Sequence, residues 1–292
     1  MRRVVLLGAF VVMGHGCRCN TVTDKDLPVA APATAPAPAP VASAGPATID
    51  CGPDIAGTDD LANASAILLG ELHGLRATPI FAVDLACRLA RQLTDKTVTL
   101  ALELPGDEQA RIDAFMASPG KTADRAALLG GGFWTGSHDG RSSEARVEMI
   151  DQARRLSQGG VKIRILTIDG PASVRDEAMA KNVIAAVEQK RGPVLVLVGN
   201  LHAGTQPSGN QRWMGEYIRE KIPNVIALDN RYGPGEAWIC TGTCGVQKVT
   251  GQDPEGDSKW RIEKLPARDA KGFSGVWHIG PARPSLPAVP AK

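Results

Sequence analysis

Short apolar runs separated by amphipathic stretches set the rhythm of this chain. Ile67 to Leu69, Val98 to Leu104, Val161 to Ile168, Val194 to Val198 and Val225 to Leu228 are aliphatic and β-branched, the pattern of strands buried on both faces of a parallel sheet. Between them lie helical patterns. Thr78 reads as an N-cap with Pro79 at the first helical position, and Ile80, Val83, Ala86, Leu89, Ala90 and Leu93 follow at three- and four-residue spacing. Further helices are predicted over Asp107 to Met116, Ser142 to Leu156, Arg175 to Gln189 and Trp213 to Ile222. In the third of these five, Ala145, Met149, Ile150, Ala153 and Leu156 share one face. Strand and helix in alternation predict an α/β fold with a mostly parallel central sheet flanked by helices. After Asp229 the texture changes to short strand-like pieces, Trp238 to Cys240, Val246 to Val249, Lys259 to Lys264 and Val276 to Ile279, between Gly, Pro and Asp turns. These predict a small antiparallel C-terminal extension of the sheet.

The ends of the chain lack this rhythm. Arg2 and Arg3 precede an apolar stretch from Val4 to Met13 that is too short to span a bilayer, and Gly14-His15-Gly16-Cys17 follows. Residues 1–17 therefore read as a signal peptide of lipoprotein type, with Cys17 as the lipid attachment site; plain secretion with cleavage nearby is the alternative. The Ala/Pro-rich segment LPVAAPATAPAPAPVASAGP, Leu27 to Pro46, has no helical or strand period, and residues 18–50 read as a tether. Held near polyproline II, roughly twenty residues at ~3.1 Å each reach about 60 Å. Residues 51–280 form the expected folded domain and residues 281–292 a flexible tail. The expected location is the bacterial cell envelope, exported and lipid-anchored. Arg18 directly after Cys17 favours the outer membrane or periplasm.

Composition narrows the partners. The 292 residues carry 33 basic and 31 acidic side chains, a net charge of +2, so no field that would gather nucleic acid is implied. Aromatics make up 4%, which leaves an aliphatic core. Export permits disulfides, and CTGTC pairs Cys240 with Cys244 across a small loop; Cys51 with Cys87 is a possible second pair.

In an open parallel sheet the ligand lies beyond the carboxyl ends of the strands. Those positions here are polar: Glu71 and His73 after the first strand, Glu103 in the second, Asp169 after the third, Asn200 and His202 after the fourth, Asp229 and Asn230 after the fifth. Taken singly, each reads as a cap or turn residue, Asp169 before Gly170-Pro171 above all. One pattern repeats. Gly70-Glu71-Leu72-His73 and Gly199-Asn200-Leu201-His202 are two GxxH stretches, each directly after a buried strand.

ILLGELHG, VTLALELP, RDEAMA and VLVLVGNLHA, in this order, resemble the ChaN-like haem-binding domains of the superfamily that includes erythromycin esterases and the Tiki and TraB proteins. The similarity spans roughly Ile67 to Asp229. It implies a site of two GxxH histidines, a Glu and an Arg, here His73, His202, Glu103 and, in DGRSSEA, Arg141. Within the superfamily it implies esterases that activate water with histidine and carboxylates, metal-dependent peptidases, and haem binders of iron uptake.

Two readings of such a site follow. In the first, Glu71, His73, Glu103, Arg141 and His202 hydrolyse an ester or amide of a small-molecule or peptide substrate. One histidine, neutral near pH 7, takes a proton from water, a glutamate fixes its tautomer, and Arg141 meets the oxyanion. A divalent metal on His73, His202 and Glu103 would be a variant of this reading. In the second, the same pocket binds haem or iron without turnover. Of the two tyrosines, Tyr217 falls in a predicted helix and Tyr232 in a turn, neither near Glu71, which leaves a histidine as the haem ligand, with Phe133, Trp134 and Trp213 as packing aromatics. For Arg141 the alternative is a helix-start residue paired with Glu144; for Arg175-Asp176, a helix-start pair; for His138 in GGGFWTGSHDG, a lid or a solvated loop; for His278, a structural role.

Overall fold

A computed structural model describes residues 49–207, 209–253 and 258–290. The chain divides into two units, Met1–Ala47 and Thr48–Lys292, and every described residue belongs to the second. The expected signal segment, Cys17 and nearly all of the tether lie outside the described residues.

In chain order the elements are β1 (Ala66–Glu71), α1 (Ala77–Gln92), β2 (Val98–Pro105), α2 (Gln109–Ala117), α3 (Thr122–Leu129), α4 (Gly132–Gly136), α5 (Glu144–Gln158), β3 (Ile163–Asp169) and α6 (Arg175–Glu188). There follow β4 (Val194–Gly199), α7 (Asn200–Ala203), α8 (Met214–Lys221), β5 (Val225–Gly233), β6 (Gly235–Thr241), β7 (Thr243–Val249), β8 (Arg261–Lys264) and β9 (Gly275–Pro281). Seven strands form one sheet in the order β3-β2-β4-β1-β5-β9-β8, parallel except for the antiparallel pairing of β8 with β9. The predicted fold class is thus the observed one, an α/β sheet flanked by helices.

The strands are buried on both faces, so apolar residues are spent on both. Ile67 and Leu69 of β1 point with Leu100 and Leu195 into a core closed by α1, α2 and α5. Ala66 and Leu68 point the other way, with Val194 and Val196, into a second core closed by α6 and α8. This two-sided burial is the physical reason the sequence shows runs rather than alternation. The core is aliphatic apart from a few rings: Trp277 packs 4.7 Å from Phe81, and its indole N–H donates to the carbonyl of Gly70.

From β1 the chain crosses over β4 to β2 and β3, returns to β4, and then passes to β5 on the other side of β1. Successive connections diverge at β1 and β4, which makes the crevice beyond their carboxyl ends a topological switch point. These two strands carry the two GxxH stretches.

Three features differ from the sequence expectation. The hairpin β6-β7 is a separate two-stranded sheet and not part of the extension, which consists of β8 and β9 alone. Both edges of β5 are occupied, by β1 and β9, so the hairpin has no edge to join. Short helices α3 and α4 fill a Gly-rich stretch where pattern predicts none. Finally, residues 281–290 form a strap rather than a flexible tail. Arg76 N–H donates to Arg283, Ser285 N–H to Gly74, Glu144 N–H to Leu286 and Ala288 N–H to Ser142, and Ser285 is buried. At its start α1 begins one residue before Thr78, whose hydroxyl bonds back to the Leu75 carbonyl.

Two disulfides close, Cys51–Cys87 and Cys240–Cys244. The second joins residues directly opposite each other in the hairpin. Among the described residues no helix is long and apolar enough to cross a membrane.

Candidate functional site

The glycines of the two GxxH stretches allow close approach. A Cβ on Gly70 would stand 3.0 Å from the Cα of Asn200 and 3.1 Å from the Cβ of Ala203, so glycine lets α7 settle on the end of β1. A Cβ on Gly199 would stand 3.1 Å from His73 Nε2 and 3.5 Å from both Glu103 Oε2 and His202 Cδ2. The missing side chain is the space in which both histidines and Glu103 meet.

Glu103 is buried and shared. Its Oε2 accepts the Gly199 N–H at 2.7 Å and lies 3.4 Å from His73 Nε2. Its Oε1 accepts from Arg175 Nη2 at 2.6 Å and from Arg141 Nη1 at 3.4 Å. Burial opposes its charge, but His73, His202 and Arg141 nearby outweigh that and hold its carboxyl well below the ordinary range. Glu71, likewise buried, meets His73 Nδ1 at 3.1 Å and Arg146 Nη2 at 2.6 Å. Burial would raise its carboxyl too, yet Arg146 and His73 leave it lowered.

Between these carboxylates His73 is not neutral. Burial works against its charge, but Glu103 and Glu71 override it and raise its pKa to about 9. With Nδ1 toward Glu71 and Nε2 toward Glu103, both nitrogens donate. The neutral base expected of one histidine is therefore not His73, whose ring is an imidazolium at pH 7.

His202 is held differently. Its Nδ1 is 2.7 Å from Asp176 Oδ1, which also accepts the Met214 N–H at 2.8 Å. Arg175 Nη1 stands 3.3 Å from Nε2. A guanidinium only donates, so this contact assigns the lone pair to Nε2 and the proton to Nδ1, toward Asp176. The indole of Trp213 packs edge-on at 5.6 Å and fixes the ring from the side.

Two arginines complete the wall. Arg141 donates through Nε and Nη2 to Asp139 and through Nη1 to Asp169 and Glu103. Arg175 donates through Nε to Asp169 and through Nη2 to Asp169 and Glu103. From the fixed donor set of a guanidinium, these bonds leave one Nη2 hydrogen on Arg141 and one Nη1 hydrogen on Arg175 uncommitted. Both arginines line a cleft of about 440 Å³, together with His73, His202, Glu103 and Glu71.

The structure thus brings Glu71, His73, Glu103, Arg141 and His202 into one crevice. Asn200 lines it as well, whereas Asp229 pairs with Arg231, Asn230 bonds the Trp277 carbonyl, and neither lines the cleft. Arg141 does not pair with Glu144, whose partner is Arg125. His138 reaches the site only through its carbonyl, which accepts from the Trp238 indole at 2.7 Å. His278 is buried against Asp253, the structural role expected of it.

Five more residues join the site: Asp139 and Arg146, which no motif marks, Asp169, expected only as a turn residue, and Arg175 and Asp176, expected only as a helix-start pair. A signal existed for Arg146: it falls on the inward stripe of α5, three and four residues before Met149 and Ile150, where a charge must find a buried partner. Asp169 carried the same strand-end signal as Glu71 but was assigned to the turn before Gly170-Pro171.

The donor set does not fit a metal on His73, His202 and Glu103. Among the described residues no group of three His, Cys, Asp or Glu side chains is arranged to hold an ion. Both nitrogens of each histidine face other partners, two guanidiniums occupy Glu103 Oε1, and the Gly199 N–H occupies Oε2. Haem is met no better, since neither tyrosine nor any other aromatic side chain lines the cleft. Phe133 instead packs under Arg141, 5.7 Å from its guanidinium carbon.

No family model matches the sequence, and no curated protein does. Solved structures do. Erythromycin esterase EreC aligns with a TM-score of 0.55 at 11% identity, over 78% of this chain and 93% of that one. A succinoglycan biosynthesis protein aligns with a TM-score of 0.54 at 11% identity, over 78% and 91%. ChaN of Campylobacter jejuni, with cofacially bound haem, aligns more loosely, with a TM-score of 0.42 at 13% identity over 77% and 89%. The chain has the fold of erythromycin esterase EreC.

Proposed function

We propose that this protein is an exported, membrane-tethered hydrolase of esters or amides, in which His202 activates water. The observation that carries this reading is the His202 ring, which lines the cleft with its Nδ1 held by Asp176 at 2.7 Å and its Nε2 engaged only by Arg175. The Nε2 contact with Arg175, at 3.3 Å, is the longest that arginine makes and is the one a water replaces. Nε2 then takes a proton from the water as its oxygen bonds to the substrate carbonyl carbon. Asp176 stabilises the imidazolium that forms. The carbonyl oxygen, now an oxyanion, meets the uncommitted N–H groups of Arg141 and Arg175. Collapse of the tetrahedral intermediate breaks the bond to the leaving oxygen or nitrogen, which receives the proton from His202. His73, already protonated, holds Glu71 and Glu103 in place and takes no proton.

Ester hydrolysis is named for EreC, which has this fold, and that is compatible with the reading. For export and tethering, the support is the basic and apolar N-terminus, Cys17 and the Ala/Pro segment, together with two disulfides of the kind an oxidising compartment permits.

The test is turnover by the mature chain on a panel of neutral esters, lactones and amides. His202→Ala is expected to lose at least a hundredfold in kcat, and Asp176→Asn about ten- to a hundredfold, with melting temperatures held within a few degrees. A wild-type protein inert across the panel, or a His202→Ala variant as active as wild type, rejects the proposal.

A further inference from the structure

The cations of the cleft are already satisfied from within. Glu71 and Glu103 flank His73, Asp139 and Asp169 hold Arg141, and Asp169 and Glu103 hold Arg175. Asp176 adds another carboxylate behind His202. An anionic substrate would find no free positive charge here and would face a surplus of carboxylates. What the arginines still offer is single N–H donors, which suit a neutral carbonyl oxygen.

Part of the cleft lining is of another kind. Leu72, Leu201 and Ile239 line it, delivered by the turn after β1, by α7 and by the separate hairpin. Leu72 and Ile239 pack partly on the core behind them, but Leu201 is 51% exposed, directly beside the catalytic imidazole of His202. A large apolar side chain left open at a reactive edge gains its burial only when something apolar covers it. The hairpin that supplies Ile239 is pinned over this edge. Trp238 donates through its backbone N–H to the Gly74 carbonyl and through its indole to the His138 carbonyl, and the Cys240–Cys244 disulfide closes the tip.

Resting on the hydrolase reading, we infer that the cleft selects neutral substrates carrying an aliphatic group on the acyl side, seated on a shelf of Leu72, Leu201 and Ile239, and that Leu201 is the specificity-determining residue. The carbonyl binds between Arg141 and Arg175 while the chain extends across α7 toward the hairpin.

The mature full chain is assayed on 4-nitrophenyl acetate, butanoate and hexanoate and on the 4-nitrophenyl hemisuccinate, whose acyl chain ends in a carboxylate. kcat/KM is expected to rise about twofold per added methylene, and the hemisuccinate to fall at least tenfold below the butanoate. Leu201→Asp is expected to collapse the hexanoate-to-acetate ratio at least fivefold. Val246→Asp, also exposed, on β7, but not lining the cleft, leaves that ratio unchanged. A flat chain-length series, or preference for the hemisuccinate, overturns the shelf while leaving hydrolysis standing. Were no ester turned over, the hydrolase reading would fall by itself. The shelf is then tested by the rise in melting temperature on millimolar hexanamide relative to acetamide. A rise abolished by Leu201→Asp supports it, and no rise overturns it.

Discussion

At the scale of single residues, charge is organised by sharing. His73 is the clearest case, since its protonated form is bound by two buried carboxylates and its pKa is raised to about 9 from the ordinary 6.5. A histidine whose folded pKa lies above its unfolded value stabilises the fold fully below the unfolded pKa, and that contribution disappears as pH rises through the folded one. The window here runs from about pH 6.5 to about 9, and the loss is on the order of 2 to 3 kcal/mol. Urea unfolding at pH 6.5 and 9.5 measures it. Wild type is expected to lose that much more stability than His73→Gln between the two values; equal losses would contradict the ion triad. The carboxylates act on the other limb. Glu71 and Glu103 have lowered values, so their contribution is present above the ordinary carboxylate range and lost as pH falls below it.

At the scale of elements, helix α1 carries a group set against its surroundings. Asp84 is buried, its Oδ2 has no hydrogen-bond partner, and burial raises its pKa to about 6 despite Gln152 and Arg88. Because the folded form holds a proton that the unfolded chain has released, the carboxylate costs stability above about pH 6. Asp84→Asn is therefore expected to be more stable by about 1 to 2 kcal/mol at pH 7.5, with the gain vanishing below about pH 4. Thermal melts across that range decide it. Elements like α1 and strands β1 to β5 were legible because burial on defined faces leaves a repeating apolar trace. Helices α3 and α4 left none: they are short, and α4 consists of Gly132, Phe133, Trp134, Thr135 and Gly136. The hairpin was legible as strands, through Trp238 to Cys240 and Val246 to Val249. Its separation from the sheet was not, because that depends on β9, far later in the chain, taking the free edge of β5.

At the scale of the whole molecule, strand-end position identified Glu71, His73, Glu103 and His202. The partners that hold them were harder to see. Asp176 acts on His202 from 26 residues away, and Arg146 on Glu71 from 75. No local period encodes either pairing. The strap of residues 281–290 escaped notice for the same reason, since its proline-rich sequence has no period and its order comes from backbone bonds to the loop after β1 and to the start of α5. Truncation after Pro281 is expected to cost about 3 kcal/mol, or roughly 5 to 10 °C in melting temperature, and to lower turnover by loosening the loop that carries His73. Calorimetry with a parallel activity assay checks both. A truncated chain as stable and active as the full one would show the strap to be dispensable.

The joint use of Glu103 has a consequence for how this surface tolerates change. One carboxylate ties together groups arriving from the turn after β1, from β4, from α6 and from the loop before α5, so no corner is independent of the others. Injury at any one of them is passed to all, and decline should come as a step instead of a slope. Such a keystone admits few half-measures.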